Sequence, residues 1–272
     1  LAGGATGMVG DPSGKSSERN LQTSEQVAHN IACIKQQLSR FLDFEAPANP
    51  ARLVDNASWT GPVTFLEFLR DVGKYFSVNQ MIAKDSVRSR LESEGGISYT
   101  EFSYMLLQSY DFMMLRKLHG VELQMGGSDQ WGNITAGTEL IRRTEREHAD
   151  GAPHAFGLCY PLLLAKSGAK FGKTAEGAVW LDPARTSPFA FRQFWMEQDD
   201  ESIASLLHRF TLESVTETAA LMARHAENPA ARRAQRHLAR SVTAMVHGAD
   251  LEARAATVAD ALFGDGEGGT PD

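Results

Sequence analysis

The sequence predicts an α/β fold, a parallel sheet with interleaved helices, followed by an all-helical region. Between residues 51 and 181, short apolar stretches (ARLVDN, VELQMGG, FGLCYPLLL, AVWLD) alternate with helix-patterned ones. Strands and crossover helices alternate in this way in a parallel sheet. From Ser187 onward the pattern is helical only, with breaks at Asn228-Pro229 and Gly248. The 272 residues, 42% hydrophobic and 22% charged, suit one large or two modest globular domains. The expected division is an α/β part over 1–185, a helical part over 186–263 and a glycine-rich linker, GDGEGGTPD, over 264–272.

Taken in order, a glycine-rich stretch begins at Gly3 with almost no strand before it, and the expectation is an internal piece of a longer protein. A helix follows over 24–42, with Val27, Ile31, Ile34, Leu38 and Phe41 on one face and Ser24 as its cap. ARLVDN reads as a short strand, TFLEFLRDVGKYF as a helix, and MIAKDSVRSRLES as a helix that stops at Gly95-Gly96. A long helix over 99–118 ends near Gly120. VELQMGG is a strand running into a glycine turn, and DQWGNITAGTELIRRTERE is a helix with Asp129 near its start. FGLCYPLLL reads as a buried strand, AKSGAKFGKTAEG as a loop and AVWLD as a last short strand.

Several classes of protein are disfavoured. No apolar run approaches the ~18 residues a membrane span needs. Cys33 and Cys159 make no disulfide framework and fit buried thiols in a reducing cytosol. The formal net charge is -7, so a nucleic-acid partner requires a local basic patch.

Four stretches carry candidate chemistry. VGDPSGKS, from Val9 to Ser16, ends as a phosphate-cradling P-loop does. Its glycines are out of register for that motif and Pro12 removes one backbone N–H. In FSYMLLQSYDFMML, Tyr104, Gln108 and Asp111 fall at i, i+4 and i+7, within roughly 60° of arc on a helix that is otherwise apolar. That stripe is either the wet side of a half-exposed helix or the wall of a small-molecule pocket. QMGGSDQWGN puts two glycines after a strand, where a ligand can approach the backbone, and an acidic residue at a helix start. An ordinary strand-to-helix turn capped by Asp129 would read the same way. KFGKT offers Lys170, Lys173 and Thr174 on a glycine-bearing loop, and Lys15 with Arg19 makes a similar basic pair. Two basic loops beside a pocket with acidic groups point to a phosphate-bearing substrate next to a small polar one.

With these residues in view, the sequence resembles the bacterial tyrosyl-tRNA synthetases, a family of class I aminoacyl-tRNA synthetases. GGATGMVGDPSGK, FSYMLLQSYDF, QMGGSDQWGNITAG and KFGKT match that family in order, and the similarity runs from Leu1 to about Phe263. The family's histidine-glycine-histidine signature and its C-terminal RNA-binding domain fall outside the sequence. The resemblance implies a Rossmann-like catalytic domain followed by a helical domain on the anticodon-stem side. It implies activation of L-tyrosine by ATP to tyrosyl-adenylate and pyrophosphate, then transfer to the terminal adenosine of tRNA(Tyr). ATP is thus a substrate, and Mg2+ is implied with it, although no dedicated ligand cluster stands out.

Residue by residue, the resemblance places Asp111 at the substrate phenol. It places Tyr104, Gln108 and Asp11 at its ammonium, and Gln130 and Gln124 near its carboxylate. Gly127 and Asp129 match the ribose-binding positions, and Thr6 and Asn56 line the same site. Lys15, Arg19, Lys170, Lys173 and Thr174 match the mobile loops that close on the leaving pyrophosphate; Lys170 and Lys173 thereby also touch ATP. The Gly-Lys-Ser ending then belongs to a pyrophosphate clamp and not to a P-loop. A homodimer in the cytoplasm is implied, with residues about 64–99 at the interface, although Phe65, Phe68, Leu69, Phe76 and Met81 equally suit a monomer core. Arg232, Arg233, Arg236 and Arg240 either meet tRNA phosphates or form a solvated basic face. The alternatives are a non-catalytic RNA-binding paralogue of the same fold and a P-loop-type nucleotide hydrolase.

Overall fold

A computed structural model of the chain describes residues 1–9, 22–92, 96–145, 155–164, 171–174 and 177–263. Its elements in order are α1 (Thr6–Val9), α2 (Ser24–Leu38), α3 (Ala57–Thr60), α4 (Phe65–Asp71), α5 (Val78–Ile82), α6 (Asp85–Leu91), α7 (Tyr99–His119), β1 (Leu123–Gly127), α8 (Trp131–Thr144), β2 (Phe156–Tyr160), β3 (Lys173–Thr174), β4 (Gly177–Ala178), α9 (Pro188–Met196), α10 (Asp200–Phe210), α11 (Val215–Glu227), α12 (Arg233–His247) and α13 (Ala249–Phe263). They form two compact units, Leu1–Lys35 with Arg52–Lys170, and Gln36–Ala51 with Phe171–Asp272. By compactness, residues 36–51 group with the helical part, and the second unit resumes at Phe171.

In the first unit α7 is the spine. Ser98 and Glu101 close a reciprocal capping box at its start, and Gly120, at φ +67°, ends it in the left-handed conformation that glycine adopts without strain. Arg90 donates to the Glu101 carboxylate at 2.8 Å, so both buried charges are paired. One face of α7 contributes Met105 and Leu106 to a core with Met81, Val87 and Ala136, and Tyr110 joins Trp59, Val72 and Leu140 in another. α8 lies close against α7: a Cβ on Gly137 would stand 3.0 Å from Phe112 Cδ1.

β1 and β2 pair in parallel, from Leu123↔Phe156 to Gly127↔Tyr160. Their inner side packs on α8, where a Cβ on Gly157 would stand only 2.5 Å from Ile134 Cγ2. The expectation of a buried FGLCYPLLL strand is corrected: β2 covers five residues, and Phe156, Leu158 and Tyr160 are exposed. They share a face with exposed Leu123 and Met125, because residues two apart along a strand point the same way. ARLVDN is not a strand; it makes an isolated parallel bridge, Ala2↔Asp55, in which Ala2 N donates to Val54 O at 2.6 Å. AVWLD is not one either, and only its Ala178 pairs, in the antiparallel β3–β4 ladder. The expected helix over 24–42 stops at Leu38, and MIAKDSVRSRLES is divided between α5 and α6.

The second unit is helical apart from β3–β4. Ser187 caps α9 by accepting from Ala190 N, and Ser214 with Glu217 forms the capping box of α11. Phe191, Trp195, Ile203, Leu206, Leu207, Leu238, Val242 and Val246 fill its centre. Residues 36–51 are tied in by Arg40, whose Nη1 donates to Val246 O at 2.6 Å.

Candidate functional site

Two of the site candidates in the first unit, Asn56 and through it Thr6, are tied to Asp111. Its side chain, on the fourth turn of α7, is 2% exposed. Asn56 Nδ2 donates to its Oδ2 and Trp59 Nε1 to its Oδ1, both at 2.8 Å. Burial pushes the Asp111 carboxyl above the usual carboxylate range, and the Asn56 and Trp59 donors pull it back toward the ionised form. A carboxylate offers about four acceptor positions. Two remain for a ligand donor after the chain has filled the others, which is the chemistry needed to hold an O–H in a dry pocket.

Asn56 is fully buried and its amide is committed. Nδ2 donates to Thr6 Oγ1 at 2.9 Å as well as to Asp111, and Oδ1 accepts from Ala5 N at 2.8 Å. Its part in the site is therefore to hold Asp111 and to join α1 to α3. Thr6, also buried, is the other end of that link. Beside it, Gly4 N donates to Asp55 Oδ1 at 3.0 Å, and a Cβ on Gly4 would lie 2.1 Å from that oxygen. Only glycine allows this approach.

Tyr104 and Gln108 lie half-buried on the same face of α7, two turns and one turn before Asp111 respectively. Gln108 Oε1 accepts from Asn133 Nδ2 at 2.9 Å, and the same Nδ2 reaches Gln130 Oε1 at 3.3 Å. At the carboxyl end of β1 the chain turns through Gly126 and Gly127. A Cβ on Gly127 would stand 2.7 Å from Asp129 Oδ1 and 2.8 Å from Leu162 Cδ2. The glycine therefore lets the strand end lie against the acid that follows it. Gln124 Oε1, on β1, is buried without a hydrogen-bond partner among the described residues.

Asp11, Lys15, Arg19 and Lys170 lie outside the described residues, and of Lys173 and Thr174 the backbone alone is described, as the strand β3. Two residues before β3 the chain is well anchored. Phe171 stacks on Phe210 at 5.8 Å and meets Phe194 and Trp195 at 5.5 and 5.8 Å, all within the second unit. Gly172 takes φ +82° and its carbonyl accepts from Val179 N. The structure thus brings together Thr6, Asn56 and Asp111, and separately Gln108 and Gln130 through Asn133.

Sequence reading missed Trp59, Asn133 and Asp55. The signal for Trp59 was its indole N–H, which seeks a partner when buried, three residues after Asn56 on the same helical face. Asn133 gave no signal, since an asparagine on the first turn of a helix reads as polar surface.

Among the four arginines, Arg232 is committed. Its Nη2 donates to the carbonyls of Met196 and Gln198, which covers the C-terminal end of α9, while Arg233, Arg236 and Arg240 are exposed. Of the interface candidates, Met81 is buried and Phe68 and Phe76 pack on the core, whereas Phe65 and Leu69 are exposed with Leu66, Val78, Ile82 and Tyr99. A cavity of about 450 Å³, lined in part by Phe76, Met81, Lys84, Met105 and Arg143, contains none of the site candidates. Among the described residues no cluster of His, Cys, Asp and Glu is arranged to hold a metal ion, and no helix is long and apolar enough to cross a membrane.

The fold is α/β, a small parallel sheet set among helices, with a second, helical unit. The chain belongs to the family of class I tRNA synthetases (W and Y), whose model matches residues 1–264. It is 60% identical over 266 residues to a tyrosine–tRNA ligase of Opitutus terrae, covering 98% of this chain and 61% of that protein. It is 53% identical over 263 residues to the tyrosine–tRNA ligase of Geobacillus stearothermophilus, covering 97% and 61%. The chain thus spans about three fifths of the length of these curated relatives. A crystal structure of a C-terminally truncated Aspergillus nidulans mitochondrial tyrosyl-tRNA synthetase superposes with a TM-score of 0.78 at 29% identity, over 96% of this chain and 75% of that one. These likenesses favour neither a P-loop hydrolase nor an RNA-binding paralogue.

Proposed function

We propose that the protein to which this chain belongs is a tyrosine–tRNA ligase. The observation that carries the reading is Asp111: a dry carboxylate with two dedicated donors and acceptor positions to spare, on one wall with Tyr104 and Gln108. A tyrosine phenol gives it an O–H, whereas phenylalanine leaves a buried charge short of a partner. Asp11, Tyr104 and Gln108 supply oxygens to the substrate ammonium, which has three donors and no acceptor. Gln124 and Gln130 stand at the carboxylate, and Gly127 and Asp129 at the ribose of ATP.

The tyrosine carboxylate is itself the nucleophile. It attacks the α-phosphorus of ATP, the bond to the bridging oxygen breaks, and pyrophosphate leaves. No strong protein base is needed, so the chain contributes positioning and charge stabilisation. Lys15, Arg19, Lys170, Lys173 and Thr174 take up the charge that grows on the pyrophosphate, with Mg2+ carried in on ATP. A hydroxyl of the terminal adenosine of tRNA(Tyr) then displaces AMP from the adenylate.

Residues up to about 185 serve as the catalytic domain, 186–263 as the domain facing the anticodon stem and 264–272 as a linker. The exposed apolar residues Phe65, Leu66, Leu69, Val78, Ile82 and Tyr99 are the contact face of a homodimer, within the insertion at about 64–99. The cytoplasm is where ATP and tRNA meet the enzyme.

The test is tyrosine-dependent exchange of pyrophosphate into ATP by the full-length protein. Lys173→Ala should slow exchange roughly 10²-fold or more, by analogy with the loss of one transition-state donor, with tyrosine affinity little changed. No exchange in the wild-type protein would refute the reading.

A further inference from the structure

Asn133 is buried on the first turn of α8 and has no role in the reading above. Its single NH2 group faces two glutamine oxygens, Gln108 Oε1 at 2.9 Å on α7 and Gln130 Oε1 at 3.3 Å on the short turn before α8. An NH2 has two hydrogens, one for each. The distance across to α7 is set by backbone packing, because Gly137, one turn further along α8, lies directly against Phe112. Asn133 cannot drift away from Gln108 without opening that contact.

A glutamine amide presents an acceptor on one branch and donors on the other, and rotation about its last torsion exchanges them at small cost. A fixed donor removes the ambiguity. We propose that Asn133 is a positioning residue that sets the amide orientation of Gln108 and Gln130 together. It holds the Gln108 oxygen where its second lone pair accepts from the ligand ammonium. It holds the Gln130 oxygen on the α8 side, which turns the Gln130 NH2 toward the ligand carboxylate. One buried amide thereby gives the two ends of an amino acid opposite partners. This deepens the reading above and rests on its assignment of Gln108 and Gln130.

The experiment is a set of double-mutant cycles on the full-length protein. The probes are L-tyrosine and tyramine, which lacks the carboxylate. Affinity is read by calorimetry, and for L-tyrosine also as kcat/KM for pyrophosphate exchange, which stays measurable when binding is weak. Asn133→Ala should weaken L-tyrosine roughly tenfold, the loss expected when a hydrogen bond to a charged group goes. The loss for tyramine should be smaller, because only the Gln108 arm acts on it. In the Gln108→Ala/Gln130→Ala background the same substitution should change either readout by less than about twofold, since a residue acting through others has no effect once they are gone. An equal loss in both backgrounds, or no loss in either, overturns the inference. If Asn133→Ala fails to fold, Asn133→Ser carries the same cycle. Absence of L-tyrosine binding by the wild-type protein would instead remove the underlying reading.

Discussion

Asp111 in the first unit and His247 in the second are both buried titratable groups, 2% and 6% exposed, and their neighbours treat them in opposite ways. Burial drives each toward its neutral form, the carboxyl upward and the imidazole downward. Asn56 and Trp59 oppose the shift at Asp111 by donating to both of its oxygens. Arg40 adds to the shift at His247, and neither ring nitrogen of His247 has a partner among the described residues. His247 meets the ring of Phe191 edge-on at 4.8 Å instead. The difference is that Asp111 has two dedicated donors that favour its charged state, whereas no described group favours the charged state of His247. Buried polar atoms without a partner among the described residues occur in both units, among them Thr60 Oγ1 in the first and Thr218 Oγ1 and Thr243 Oγ1 in the second.

The sharpest way to break this contrast is Asp111→Ala in the full-length protein. Preference for tyrosine over phenylalanine, measured as the ratio of kcat/KM in pyrophosphate exchange, should fall about 10- to 100-fold, the value of a hydrogen bond to a buried charge. An unchanged ratio would show that Asp111 is not the selecting group. Trp59→Phe probes the donors. Losing one of two raises the carboxyl further, so it protonates at higher pH. Tyrosine affinity should therefore decline, as pH falls, at a higher pH than in the wild type. Calorimetric titrations across pH 5 to 8 should reveal a several-fold loss at the acid end, and superimposable profiles would deny the indole that role.

His247 tests the other side. Its folded-state pKa lies below the unfolded value of about 6.5, so the unfolded chain binds more protons in that interval. Stability from this group is present above about pH 6.5 and is lost as the pH falls below it. His247→Phe should remove that slope and add about 1 kcal/mol at neutral pH by eliminating two unpartnered nitrogens. Thermal unfolding of wild type and variant at pH 7.5 and 5.5 checks both, and a greater acid sensitivity in the variant would reverse the comparison. The smallest effects belong to Arg233, Arg236 and Arg240. Changing all three to Ala should alter stability by less than about 0.5 kcal/mol. Arg232→Ala, which uncovers the end of α9, should cost about 1 kcal/mol. Equal losses in thermal unfolding would mean that Arg232 is as free as the others.

Much of the site was legible because its residues keep helical spacing. Tyr104, Gln108 and Asp111 recur at i, i+4 and i+7, and Gly120 marks the end of their helix as cap chemistry requires. Periodicity left open whether that stripe was wet or enclosed, and the structure answers with a buried Asp111 beside half-buried Tyr104 and Gln108. The strands were read less well. FGLCYPLLL is apolar enough for a buried strand, but apolar sequence records what a segment can pack against and not which layers cover it. Phe156, Leu158 and Tyr160 are exposed in this chain. ARLVDN supplies a bridge and two polar residues, Asp55 and Asn56, that brace the glycine-rich start of the chain.

The sequence by itself determined the long helix over 99–118 with its glycine stop, the VELQMGG strand with the helix that follows it, and the all-helical stretch from Ser187 onward. These are local properties, set by side chains a few positions apart. Tertiary structure alone decided that Asn56 and Trp59 converge on Asp111 from over 50 residues away, and that Asn133 on α8 meets Gln108 on α7. A hydrogen bond requires its two atoms within about 3 Å. For residues so far apart along the chain, that distance follows from how helices and strand ends pack, which the order of the residues does not state.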